Sequence, residues 1–130
     1  MPVRIVRLGT PRAPGEGLRV GTVRRPPRGV PKSEHASRDF YDVWLPELAP
    51  SEALVASGLK AVDPRAWRSF VRRYRAEMKR PAAARLLALM AALSQETALS
   101  VGCYCEDESR CHRSVLKELL REQGAVLARE

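Results

Sequence analysis

Apolar and basic residues alternate over positions 3–8 and again over 18–23, and this two-residue period predicts two β-strands. The segment between them, 9–17, is rich in glycine and proline and predicts a loop. A third strand is predicted over 40–45 and a last one over 98–104. The chain therefore offers four strand candidates, two of them near its start.

Helical patterns fill the second half of the chain. Asp63 and Pro64 are typical of a helix start, with the aspartate as N-cap and the proline at the first helical position. Residues 82–93 are rich in alanine and leucine and predict a buried helix. Between these segments, five apolar residues recur at helical spacing and predict a helix that buries one face. They are Trp67, Phe70, Val71, Tyr74 and Met78.

A final helix is predicted to begin with Asp107 or Ser109 as its cap and to run to about Gln123, with Gly124 as its stop. Strands that alternate with helices predict the α/β class. We expect a single compact domain over residues 1–130, with a small, mostly parallel sheet flanked by helices. In that sheet the second and last strands should be neighbours with their carboxyl ends on one edge.

The composition limits the class of protein. A chain of 130 residues with 45% hydrophobic residues can form one domain with its own core. The 23 lysines and arginines exceed the 15 acidic residues, giving a net charge of +8, which favours an anionic small molecule or nucleic acid as partner. A basic surface that only faces solvent is the alternative. The longest apolar run, 86–93, is too short to span a bilayer, so no membrane partner is expected.

The three cysteines lie within nine residues, 103–111, and their number is odd. A secreted disulfide framework spreads and pairs its cysteines, so this pattern favours a reducing compartment and a cytoplasmic location. The same segment joins the last strand to the last helix, and strand ends that face helix N-termini are where α/β proteins bind ligands. We therefore expect any chemical site to lie there.

A metal site is the first interpretation of this segment. Cys103, Cys105, Cys111 and His112 are four ligands of the types that tetrahedral zinc accepts. Their spacing lacks the Cys-x-x-Cys knuckle, and neighbouring donors on a helix diverge by about 100°. We therefore expect neither a metal nor another cofactor.

An anion-binding or nucleophilic loop is the second interpretation. Cys105 and His112 are the candidate catalytic residues, because a thiolate at a strand end would face the last helix. Acidic residues at 106–108 oppose a low thiol pKa. The candidate ligand-binding residues lie in the Cys-His-Arg run and directly after the second strand: Cys111, Arg113, Arg24 and Arg28.

A structural role is the third interpretation. Cys103 would pack as a small hydrophobic residue in the last strand. Arg113 would bind the carbonyl ends of the sheet or pair with Glu47 or Asp42. An aspartate such as Asp42, set among apolar residues, is commonly paired with an arginine.

Several segments together resemble the bacterial family called domain of unknown function 488. They are LRVGTVRRPPRGV at 18–30, WLPELAPS at 44–51, WRSFVRRYRAE at 67–77 and the Cys-His-Arg run at 111–113. The resemblance covers nearly the whole chain and implies a compact α/β domain, but it supplies no reaction. The chain departs from the family at 25–28, where Arg-Pro-Pro-Arg stands in place of a tryptophan before the proline.

The leading hypothesis is an α/β domain that binds a nucleotide- or phosphate-like anion at the Cys/His/Arg loop, with enzyme activity left open. The alternative is a non-enzymatic basic module that binds nucleic acid, its cysteine loop being structural or zinc-bearing. A buried pocket at the loop favours the first, and a flat basic face favours the second.

Overall fold

The protein, described here by a computed structural model over residues 2–59, 63–105 and 111–128, contains a four-stranded parallel sheet. Its strands are β1 (Val3–Arg7), β2 (Leu18–Gly21), β3 (Val43–Trp44) and β4 (Leu99–Cys103), in the spatial order β1-β4-β2-β3. Parallel neighbours need crossover connections, which here carry the helices. The predicted α/β class with a small parallel sheet is confirmed.

The two central strands, β2 and β4, determine where the functional site lies. They pair in parallel from Leu18 opposite Leu99 to Gly21 opposite Gly102. Every residue of β4 is buried, as expected for a central strand covered on both faces. Because the strands are parallel, both carboxyl ends lie on one edge of the sheet, as the apolar patterns predicted.

Four helices cover the sheet: α1 (Glu52–Leu59), α2 (Pro64–Glu77), α3 (Pro81–Leu93) and α4 (His112–Glu122). The predicted start of α2 is confirmed, since the Asp63 carboxylate accepts a hydrogen bond from the Ala66 backbone N–H. Cys111 is the N-cap of α4, while the predicted cap positions 107 and 109 lie outside the described residues. No helix within the described residues has the length and apolar character needed to cross a membrane.

Two predictions about individual elements were wrong: the length of the third strand and the burial of α3. The third strand is only Val43–Trp44, because Pro46 opens a short 3-10 helix at Pro46–Leu48 directly after it. The α3 helix buries one face only, with Leu89 and Leu93 exposed. Alanine-rich sequence indicates a helix but does not say how many of its faces are covered.

The core forms between the sheet and the helices, and α2 contributes its predicted apolar face. Phe70, Tyr74 and Met78 are buried, while Trp67 and Val71 are half-buried against the same cluster. The Tyr74 hydroxyl donates to the Leu48 carbonyl, so the one polar atom of that aromatic side chain is satisfied.

A buried ion pair lies beside the central strands. The guanidinium of Arg19 on β2 donates to both carboxylate oxygens of Glu16 at 2.8 Å, and both side chains are at most 3% exposed. Arg19 Nη1 also donates to the carbonyls of Thr10 and Asp39, and Ser100 on β4 donates to Glu16. The network ties the loop before β2, the loop before β3 and the strand β4 together.

Replacement of Phe70 by alanine should lower the free energy of unfolding by about 3–5 kcal/mol, because it removes a buried ring that stacks between Trp67 and Tyr74. Urea denaturation measures this change. The control is Leu89→Ala on the exposed face of α3, which should stay within about 0.5 kcal/mol of the wild type. Equal effects of the two substitutions would contradict this packing of α2.

Candidate functional site

A cavity of about 390 Å³ opens at the edge of the sheet where β2 and β4 end. Val23, Val55 and Ala56 give it an apolar wall, and Cys103 and Cys105 line the side formed by the end of β4. Arg24 and Arg25, the residues that follow β2, and His112 also reach it. The ends of the two central strands thus contribute to one cavity.

Three cysteine sulfurs meet at this cavity. Cys103 is the last residue of β4, and Cys111 caps α4 beside it, with the two Sγ atoms 2.6 Å apart. Both side chains are buried. Cys105, two residues beyond the strand, lines the cavity and is exposed. The cluster therefore presents one accessible sulfur in front of two inaccessible ones.

The hydrogen bonds within the cluster decide which sulfur carries a negative charge. Bonds from the Cys103 and Cys111 thiols hold the pKa of Cys105 well below its ordinary value, despite partial burial, and the Arg113 charge acts in the same direction. Donation to the other two sulfurs, and then burial, raise the pKa of Cys103 far above its ordinary value. A hydrogen bond with Cys103 lowers the pKa of Cys111. The hydrogen bond of Cys111 with Cys105 and the burial of its side chain have the opposite effect and raise the pKa to about 11. The directions of these three pKa shifts favour Cys105 as the sulfur that ionises first.

His112 is held by the end of β2. Its Nε2 lies 2.7 Å from the Thr22 carbonyl oxygen, which can only accept, so Nε2 carries the proton and Nδ1 does not. Nδ1 is 3.6 Å from Cys111 Sγ and accepts from that thiol. Burial lowers the pKa of His112 to about 4, so the imidazole is neutral at pH 7.

Arg113 brings a buried positive charge to the site. The side chain is 3% exposed, and its Nη2 donates to the Cys105 carbonyl at 2.5 Å. Its Nε has no hydrogen-bond partner, and none of the carboxylates among residues 2–59, 63–105 and 111–128 pairs with it. Asp42, a partner considered from the sequence, binds Arg12 instead, at 2.7 Å. The guanidinium contacts the backbone of Cys105, and its positive charge helps to lower the pKa of that thiol.

The other two arginines proposed from the sequence are placed differently. Arg24 reaches the cavity, but its guanidinium donates to the carbonyls of Ala49 and Pro50. Arg28 is exposed and is not among the residues that line the cavity. Arg25, which follows the second strand together with them and was considered for the same anion pocket, lines the cavity and pairs with Glu52 at 2.7 Å.

The structure places Cys111 beside His112, and Arg113 beside Cys105. Sequence reasoning missed Thr22. This residue fixes the tautomer of His112 from a position 90 residues away. Its location just after β2, on the same sheet edge as the cysteine segment, is the signal that could have found it.

The donor atoms of Cys103, Cys111 and His112 lie within 4.8 Å of one another, so their fit to a metal ion can be tested. The expected divergence of Cys111 and His112 was wrong, because Cys111 is an N-cap with extended backbone angles (φ −127°, ψ 153°) rather than a helical residue. The ligand types suit zinc. The described cluster offers three such donors, one fewer than the four of a structural zinc site.

Purified protein should therefore contain well under one zinc per chain, as the cysteine spacing also suggested. Elemental analysis of protein expressed in zinc-supplemented medium measures this. Thermal melts with and without a chelator are the control and should coincide, because the apolar core does not depend on metal. Stoichiometric zinc together with unfolding by the chelator would contradict the prediction.

Comparison with known proteins identifies a family. The family model described as the active DUF488-N3 subclade, DUF488-N3a, matches residues 3–124, which include both central strands and all the cavity residues named above. Searches of curated proteins and of solved structures gave no match. The match covers almost the whole chain, and it agrees with the family resemblance of the sequence motifs. The chain belongs to the domain of unknown function 488 family, within its DUF488-N3 subclade.

Proposed function

We propose that this protein is a cysteine-dependent enzyme in which Cys105 attacks a small molecule held in the cavity at the strand ends. One observation carries the proposal: the exposed Cys105 lines a mostly apolar cavity, and the buried Cys103 lines the same cavity. This arrangement would place the negative charge on Cys105, the cysteine that a substrate can reach. A reducing cytoplasm would keep the three thiols available.

The surroundings of Cys105 support a reactive thiolate. Reactive cysteines occur where positive charge and hydrogen-bond donors stabilise the anion, and here Arg113 and the start of α4 supply the positive charge. The matching family is described as an active subclade, which agrees with an enzymatic role for this chain. His112, neutral and hydrogen-bonded to Cys111, would hold the Cys111 side chain in place.

The cavity indicates the kind of ligand. Its volume lies within the usual range for small-molecule sites, about 300–1,000 Å³, and its wall is mostly apolar. Arg25 at the rim and Arg113 beneath Cys105 would attract an anionic group. We propose a ligand with an apolar or planar body and an anionic group, as in a nucleotide or an organic phosphate.

Alkylation of Cys105 by iodoacetamide tests the thiolate. Its rate should stay nearly constant from pH 8 to pH 5, because the folded-state pKa lies below this window. An ordinary thiol would slow by about tenfold per pH unit there. Peptide mapping by mass spectrometry gives the rate at each cysteine.

Two variants and one ligand act as controls for this experiment. Cys105→Ser should abolish the fast alkylation, and Arg113→Met should raise the pKa of Cys105, because the guanidinium charge helps to stabilise the thiolate. Inorganic phosphate or adenosine monophosphate, at matched ionic strength, should slow the reaction. If the alkylation rate of the wild type falls tenfold per pH unit below pH 8, Cys105 is not a thiolate in this range. If neither phosphate nor adenosine monophosphate slows alkylation, the proposal of an anionic ligand is wrong.

Nucleic-acid binding is the second candidate function, and it is favoured by the basic face of α2. Cations recur there at spacings of three and four residues, beside a shallow groove that includes Trp67 and Val71. One of them, Arg75, is partly neutralised by Glu122 at 2.9 Å. A row of cations along a helix suits the phosphates of a nucleic-acid strand. The row comprises Arg65, Arg68, Arg72, Arg75 and Lys79.

Fluorescence polarisation with a labelled oligothymidylate tests this second function. Binding should weaken as salt rises, and Arg72→Gln should lower the slope of log K against log[salt] by about 0.7, the value for one phosphate contact on a single strand. The matched control is Arg38→Gln, an exposed arginine away from α2, which should leave the slope unchanged. Equal effects of the two variants would contradict a specific role for the α2 face.

A further inference from the structure

A second cavity lies beside the edge strand β3, which contributes Trp44 to its lining. Its volume is about 350 Å³, within the usual range for small-molecule sites. Among the described residues, none lines both this cavity and the one at Cys105. We call it the β3 cavity. Its lining includes three aromatic rings, a proline and one side chain of each charge: His35, Tyr41, Trp44, Pro26, Lys32 and Asp42.

Tyr41 lines the β3 cavity and carries a buried hydroxyl that has no hydrogen-bond partner among the described residues. Its ring lies against Gly21, where a Cβ atom would come within 2.3 Å of Cδ2, and it packs edge-to-face with His35 at a centroid distance of 5.2 Å. Burial raises the pKa of Tyr41, so the hydroxyl stays protonated at neutral pH and can donate. A buried donor without an acceptor destabilises a protein, so an acceptor atom on a ligand would stabilise this one.

Trp44 offers a surface on which a planar ligand can stack. Its indole Nε1–H donates to the Val23 carbonyl at 2.7 Å, and this bond fixes the orientation of the ring. The residue is nevertheless 39% exposed. Because the ring is both held and accessible, a flat ligand can pack on it without first ordering it.

The charges at the β3 cavity favour an anion. Arg12 donates to the Asp42 carboxylate at 2.7 Å and to the Ala36 carbonyl at 3.3 Å, so it neutralises the acidic side chain of the lining and holds two lining residues in place. The Asp42 carboxylate also accepts from the Arg19 backbone N–H. Lys32, which is exposed, adds a positive charge to the lining. The remaining charge is therefore positive, in a chain whose net charge is +8.

We propose that the β3 cavity is a nucleotide-binding site, in which the base stacks on Trp44 and accepts a hydrogen bond from the Tyr41 hydroxyl while the phosphate pairs with Lys32. A nucleotide combines a planar ring, ring-nitrogen acceptors and a negative charge, which are the three properties that these residues recognise. Stacking of bases on aromatic side chains beside positive charge is a general mode of nucleotide recognition. The inference does not rest on the proposed function, because it involves neither Cys105 nor a reaction.

Tryptophan fluorescence of the full chain tests this site, because the chain has two tryptophans, Trp44 and Trp67. In Trp67→Phe, Trp44 is the remaining reporter, and adenosine monophosphate at constant ionic strength should quench its emission in a saturable way. Trp44→Phe is the matched control, in which Trp67 should not respond. Ribose 5-phosphate, which lacks the base, should not quench Trp44. Thermal melts verify that both variants fold.

Further substitutions in the Trp67→Phe background test the individual contacts. Tyr41→Phe should melt no lower than its parent, because it removes an unpaired hydroxyl, yet it should weaken the binding of adenosine monophosphate by about two- to tenfold, the effect of one lost hydrogen bond. Lys32→Gln should also weaken binding, and its effect should shrink as salt rises. Its control is Arg85→Gln on the exposed face of α3, which removes the same charge elsewhere and should leave binding unchanged.

Different results would overturn the inference and the proposed function separately. If adenosine monophosphate leaves the emission of Trp44 unchanged, or if Tyr41→Phe and Lys32→Gln bind it as tightly as their parent, the β3 cavity is not a nucleotide site. Slower alkylation of Cys105 by iodoacetamide in the presence of the nucleotide would then still support the ligand of the proposed function. If Trp44 responds as expected but neither phosphate nor the nucleotide slows that alkylation, the β3 cavity stands and the Cys105 cavity loses its anionic ligand.

Discussion

The buried pair of Arg19 and Glu16 is the interaction on which the arrangement of the sheet depends. A guanidinium with no exposed surface is tolerable only because a carboxylate and two carbonyls accept from it, and loss of one partner from such a pair costs about 3–5 kcal/mol. Asp42 accepts from the Arg19 backbone N–H, and Ser100 on β4 donates to Glu16. The network therefore fixes β2 and β4 relative to the loops beside them. The same two strands end at the cysteine cluster.

The sequence predicted the sheet better than it predicted this pair. Alternating apolar residues identified both central strands and their shared edge, and Asp63 marked the start of α2 correctly. The same alternation suggests that a charged strand residue such as Arg19 faces solvent, because charges are rarely buried. Its burial depends on Glu16, three residues earlier in a segment that resembles an ordinary glycine-rich loop. Local patterns do not reveal a compensating charge in a loop.

The site was predictable in its members and less so in its geometry. Cys111 and His112 converge because one is an N-cap and the other is helical, and a sequence gives helix ends only to within a few residues. Arg24 was expected to bind a ligand, but its guanidinium satisfies the carbonyls of Ala49 and Pro50. The distance along the chain between Thr22 and His112 explains why that contact was not foreseen. The sequence showed which side chains could bind or react. The fold was needed to show which of several possible partners each side chain contacts.

The strand order β1-β4-β2-β3 has a consequence for how the protein is made. Of these strands β4 is the last in the chain, yet both β1 and β2 pair with it and not with each other. Neither of the early strands can complete its hydrogen bonds until residues 99–103 have left the ribosome. Contacts of such long sequence separation slow folding. The sheet therefore cannot be completed before β4 is made, and until then the early strands expose unpaired edges that a chaperone can recognise.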